Sequence, residues 1–169
     1  AGDDLTTMTH NTCVGSDALA GSSLVDQCVV IGSQAATGAL TAAADGTVAV
    51  GYAALNALTS GEKNIAIGYQ AGITQTDGDQ NVIIGYQAMS TANSGETGNI
   101  CIGYQAGSDF DDAGCDSNVI IGDSAGTGGS AAMASCIAIG SNAMNATAGN
   151  AQTGTIAIGQ NALTALTTG

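Results

Sequence analysis

The chain has no tryptophan, a single phenylalanine (Phe110) and four tyrosines in 169 residues, so a core built from bulky rings is excluded. Basic residues are almost absent: Lys63 stands alone against 14 acids, giving a formal net charge of -13. Nucleic acid and anionic membranes are poor partners for such a surface, because phosphate binding needs lysines and arginines. No stretch approaches the roughly 18 consecutive apolar residues of a membrane-spanning helix, which argues against membrane insertion, and Ala1-Gly2-Asp3-Asp4 does not open a signal peptide. His10 and Lys63 are isolated, with no second base or paired nucleophile, and no two of the five cysteines have the spacing of a zinc or redox motif. The expectation is a non-enzymatic protein without metal or cofactor.

What is abundant is small and apolar. Hydrophobic residues make up 44% of the chain, dominated by Ala, Ile, Val and Leu, and there are 26 glycines. A disordered chain is not composed this way. The residues fall into nine copies of one phrase, an apolar run ending in glycine with alanine three positions on. The glycines are Gly15, Gly32, Gly51, Gly68, Gly85, Gly103, Gly122, Gly140 and Gly159, at steps of 17 to 19 residues. A fixed period of this size marks a solenoid, in which one coil cannot bury its apolar face without a neighbour. The expected fold is all-β: a parallel β-solenoid of nine coils of roughly 18 residues, with 1–169 as one array.

Within each phrase, side chains alternate with period two. The residue before the glycine is always β-branched, as in Ile67 and Ile102, and the one two places earlier usually is, as in Ile65 and Ile100. The bulkier pair is expected to face the core. The residue between them would then line an uncharged outer face suited to lateral association, making Ala49, Ala66, Ile83, Cys101, Ile120, Ala138 and Ala157 the interface candidates. Asn11, Asn64, Asn81, Asn99 and Asn118 stand at the strand entrance, where stacking predicts polar ladders. The column from Ala18 to Ala162 predicts a tight inward corner, and Gly61, Gly78, Gly95, Gly114 and Gly149 mark the return turns. No polar cap closes the array after Ala162-Leu163-Thr164-Ala165-Leu166-Thr167-Thr168-Gly169, so the expectation is a segment of a longer fibre or a unit that meets another end to end.

Phrases such as Asn64-Ile65-Ala66-Ile67-Gly68-Tyr69-Gln70-Ala71 and Asn99-Ile100-Cys101-Ile102-Gly103-Tyr104-Gln105-Ala106 resemble the head repeats of YadA-like trimeric autotransporter adhesins, repeats also found in virion tail fibres and tail spikes. The similarity covers essentially the whole chain. It implies a left-handed parallel β-roll, three copies packed about an axis, and an extracellular adhesive surface on a virion or a cell. Coils here are longer, and the recurrent tyrosine after the glycine leans towards the tail fibre. The expected function is a structural and adhesive fibre segment for host attachment, with a bacterial adhesin head as the alternative. An end-to-end filament or an ice-binding solenoid is a further alternative, disfavoured because Thr6, Thr7, Thr41 and Thr59 show no register in the sequence.

Candidate contacts follow from position. Tyr52, Tyr69, Tyr86 and Tyr104 share one repeat position in four successive coils and are expected to stack; such a column more often packs a corner than binds sugar rings. Asp109, Asp111, Asp112 and Asp116 cluster around Phe110, where a solvated loop is the better reading and a cation or receptor contact the sharper one. Recognition of a cell-surface receptor or glycan is expected on segments 72 to 80, 90 to 98 and 107 to 117. Because an extracellular protein meets oxidising conditions, Cys115 and Cys136, which precede strands of adjacent coils, are the expected disulfide pair.

Overall fold

The structure, a computed structural model, describes residues 9–22, 24–93, 95–110, 114–128, 132–145 and 151–164. Each apolar phrase forms a three-residue strand: β1 (Thr12–Val14), β2 (Val29–Ile31), β3 (Val48–Val50), β4 (Ile65–Ile67), β5 (Val82–Ile84), β6 (Ile100–Ile102) and β7 (Val119–Ile121). Two-residue strands β8 (Met133–Ala134) and β10 (Gln152–Thr153) then precede β9 (Ile137–Ile139) and β11 (Ile156–Ile158). The nine longer strands make one parallel sheet in the order β1-β2-β3-β4-β5-β6-β7-β9-β11, and β8 pairs with β10 in a second. Every pair is in register, from Thr12 opposite Val29 to Ile158 opposite Ile139. Among the described residues the only helical element is the 3-10 turn Ala42–Ala44. The fold is therefore an all-β parallel β-solenoid.

The glycine that ends each strand is required twice over. From Gly15 to Gly159 these residues hold φ between +126° and +140°, outside the range of other residues. A Cβ on Gly68 would stand 2.3 Å from the carbonyl oxygen of Gly85 in the next coil, and the same clash with backbone recurs from Gly15 to Gly140. Two and four residues further on, the chain turns through left-handed positions: Gln70, Gln87 and Gln105, then Leu55, Met89 and Met144, with Gly72, Gly107 and Gly126 serving in other coils. A third left-handed position precedes the strand entrance and includes His10, Lys63 and Gln80. These non-glycine residues cost roughly 1 kcal/mol each, offset at Leu55 and Met89 by complete burial.

The interior reverses the expected orientation of the strands. Val30, Ala49, Ala66, Ile83, Cys101, Ile120 and Ala138 are all 0% exposed and Ala157 nearly so, whereas Ile31, Ile67, Ile156 and Ile158 are exposed. The middle residue of each strand faces inward, and the β-branched pair faces out. Consequently Ala49, Ala66, Ile83, Cys101, Ile120, Ala138 and Ala157 belong to the core and are not a lateral interface. The reason is volume: the space between the strand and the alanine corner is one side chain deep, so it takes mostly Ala and Cys, or Ile where the facing wall is glycine. A Cβ on Gly72 would meet Ile83 Cδ1 at 2.9 Å, and one on Gly126 would meet Ile120 Cγ2 at 3.0 Å. The alanine column behaves as expected, with Ala18 to Ala143 fully buried.

Polar ladders join the coils. Asn64, Asn81, Asn99 and Asn118 are completely buried. Each Oδ1 accepts the N–H at the same position of the next coil, as from Asn99 to Asn81 at 2.9 Å, while each Nδ2 donates to a carbonyl there, as from Asn99 to Cys115 at 2.7 Å. Two residues before the strand entrance, Asp45, Asp79 and Asp116 accept backbone N–H groups from Asp26, Glu62 and Thr97. These carboxylates are therefore ladder members, not merely solvated charges. Thr41 and Thr59 also keep register, each hydroxyl donating to the carbonyl of the next threonine of the column (Thr59, Thr76). That corrects the expectation of unaligned threonines, but the hydroxyls spend their hydrogens on the backbone; Thr6 and Thr7 lie outside the described residues.

Candidate functional site: outer sheet face and tyrosine column

Among the eighteen outward positions flanking the middle residues of the nine long strands, seventeen are Val or Ile and the other is Thr12. None is charged, and in the single chain they are half-buried or exposed, reaching 67% at Ile158. The acids lie on the turns and return segments instead. A continuous apolar sheet face of this length is far more than the scattered surface hydrophobes of an ordinary monomer.

Beside this face, Tyr52, Tyr69, Tyr86 and Tyr104 stack as expected. Successive ring centroids are 5.2 Å apart, with interplanar angles of 17°, 7° and 5°. In the single chain each of these tyrosines is 43 to 51% exposed. Gln70, Gln87 and Gln105, the next residues, form a parallel amide ladder in which Gln87 Nε2 donates to Gln70 Oε1 at 2.8 Å and Gln105 Nε2 to Gln87 Oε1 at 3.2 Å. The coils on either side carry Ser33 and Asp123 at the tyrosine position, which limits the column to four rings.

Residues 107–110 and 114–117 of the acidic segment are among the described residues. Asp109 is exposed and takes a hydrogen bond from Ser108, but Phe110 is 1% exposed. Phe110 is therefore a core residue and not a surface contact; its ring packs at ordinary contact distance, 3.6 Å, from where a Cβ on Gly107 would stand, and it is Cys101 Sγ, at 2.8 Å, that would clash there. Asp111 and Asp112 lie outside the described residues. Among the described residues no three His, Cys, Asp or Glu side chains approach closely enough to hold a metal ion.

The return segments 72 to 80 and 90 to 98 are tied into the stack more closely than variable loops would be. Thr74 Oγ1 donates to the carbonyls of Ser90 and Ala92, Gln75 is fully buried, and Glu62 N–H donates to Asp79. Lys63 is paired with its neighbour Glu62 at 3.0 Å on the surface.

The cysteines are structural. Cys115 and Cys136 are not joined: Cys115 Sγ accepts from Met133 N–H at 3.4 Å, and Cys136 Sγ donates to the carbonyl of Ala134 at 3.4 Å. Cys101 points into the core, where burial pushes its thiol well above the ordinary value of 9.0, reinforced by Cys115. Burial raises the Cys28 thiol as well.

Compared with known family models, curated proteins and solved structures, the chain matches none. No helix among the described residues is long and apolar enough to cross a membrane.

Proposed function

We propose that this solenoid is a structural and adhesive segment of an extracellular trimeric fibre of the tail-fibre type, displayed on a virion or cell surface and used for host attachment. The observation that carries the reading is the outward Val and Ile face running from β1 to β11. Leaving it in water is unfavourable by about 25 cal/mol for each Å², so it needs a cover. A second and third copy of the same chain supply one. The face repeats at every coil, so parallel copies keep residue-for-residue register along their length, and no acidic residue stands on the face itself. The resemblance of the Asn-Ile-Ala-Ile-Gly phrases to trimeric adhesin heads supports three copies, a left-handed coil and continuation into further segments of the same fibre. Threefold display would present surface contacts to a receptor or glycan multivalently.

Sedimentation equilibrium tests this reading. The protein is expected to have the mass of a trimer, and an Ile67→Asp, Ile84→Asp variant to sediment as a monomer that keeps its β-sheet circular dichroism. A monomeric parent protein, or a trimer unaffected by both substitutions, refutes the assignment of the face. Cell adsorption of the parent trimer beside the monomeric variant then tests attachment, which is expected to weaken with valency.

A further inference from the structure

The tyrosine column has a period, an exposure and an electrostatic setting that together specify a ligand. Tyr69 and Tyr86 have a ring on both faces and Tyr52 and Tyr104 on one, so what the column leaves exposed along its length is mainly ring edge. An aromatic edge carries partial positive charge, and a phenol both donates and accepts hydrogen bonds. The strip therefore attracts a partner rich in neutral oxygen. Each Gln70, Gln87 and Gln105 amide lies beside it. Gln87 and Gln105 each spend one N–H on the ladder, which leaves the second for an outside acceptor. The net charge of -13 repels anionic polymers.

Building on the adhesive fibre reading, we propose that the column from Tyr52 to Tyr104 is a four-subsite strip for a linear β-1,4-linked hexopyranose chain of glucose or N-acetylglucosamine units. An extended chain with this linkage advances by nearly the same length per sugar as the 5.2 Å between successive tyrosine rings. One sugar thus meets one coil, and the match persists across four coils. An α-1,4-linked chain curls and leaves register after a sugar or two. Stiffness also helps, since a chain already extended loses little conformational freedom on binding.

The fold itself supplies a safe variant. Ser16, Ser33 and Ser141 occupy the tyrosine position in other coils, so Tyr69→Ser with Tyr86→Ser is compatible with the backbone. Calorimetric titration of the full chain with cellohexaose, chitohexaose and maltohexaose is the test. Binding is expected to one or both of the first two, at least tenfold weaker to maltohexaose, and weakened roughly tenfold to a hundredfold by the double serine variant. Cellohexaose binding assigns glucose units, and chitohexaose binding N-acetylglucosamine units. Binding to neither, equal binding to maltohexaose, or an unchanged constant in the serine variant overturns the proposal. Sedimentation on the same samples separates the two readings: a trimer that binds neither β-linked chain rejects the strip and leaves the fibre standing, whereas a monomer that binds rejects the trimer and leaves the strip.

Discussion

Ile83 and Ile84 are adjacent, chemically identical and on opposite faces of β5, so truncating each to alanine isolates what burial inside the coil is worth. Ile83 is 0% exposed, and its Cδ1 occupies the space that Gly72 leaves open, 2.9 Å from where a Cβ would be. Removing its outer carbons deletes buried surface and leaves a cavity whose walls, the laddered backbones of neighbouring coils, cannot collapse. The expected cost is about 3 to 4 kcal/mol. Ile84 is only half-buried in the single chain; there its truncation should cost about 1 kcal/mol. Because arrays of repeats can unfold in stages, the comparison is best made on thermal midpoints from circular dichroism. At low protein concentration Ile83→Ala should lower the midpoint by about 10 °C and Ile84→Ala by a third of that or less. At high concentration the Ile84→Ala deficit should grow, since association stabilises only the form whose outer face is intact. A dissociated chain in which Ile84→Ala is the more damaging of the two would falsify the orientation of the strands.

Further outcomes follow from other columns. Gly68→Ala places a methyl group 2.3 Å from a backbone oxygen at φ +140°, and should melt coils around β4 and β5, seen as lost amide-exchange protection there; full protection throughout would contradict the close approach. Asn99→Ala removes the acceptor for Asn118 N–H and Nδ2 and the donor to the Cys115 carbonyl, so a loss of about 2 to 5 kcal/mol is expected, and a chemical-denaturation midpoint equal to the parent's would count against the ladder. Cys101 should resist iodoacetamide in the folded protein at pH 8 and react on unfolding, because burial holds its thiol protonated; rapid labelling of the native chain is the contrary result. Since Cys28 and Cys101 ionise near 9.0 in the unfolded chain while burial keeps both protonated in the folded one, their contribution to stability should be constant below that pH and fall above it; a midpoint rising between pH 9 and 11 would contradict that sign.

Much of the architecture was legible in the sequence because its determinants are one-dimensional. The glycine steps of 17 to 19 residues, the alanine three places later and the strand-entrance asparagines each mark one coil. Stacking then turns a repeated letter into a column without further information. That is why the Asn64 to Asn118 ladder and the stacked tyrosines appear where the sequence puts them. The tyrosine strip was visible as a pattern, while its 5.2 Å spacing and its exposed edges were not.

Orientation was not legible. Period-two alternation says that Ala66 and Ile67 face opposite ways, but it is unchanged when the two faces are exchanged, and here neither face is polar. Only the assembled coil decides, because its interior is too shallow for a column of Ile and Val and closes instead on Ala66, Cys101 and Ala138, admitting Ile83 and Ile120 where Gly72 and Gly126 give room. Phe110 was misplaced for a different reason: its acidic neighbours suggested a solvated loop, but the folded coil draws this one large apolar side chain into the core cluster while Asp109 beside it stays exposed. The left-handed turns at Gln70, Leu55 and Lys63 were likewise hidden, since these residue types do not ordinarily signal such φ values. The sequence alone determined the period, the strands and the columns; the volume enclosed by one coil, a property of the folded backbone, determined which of those columns is core and which is surface.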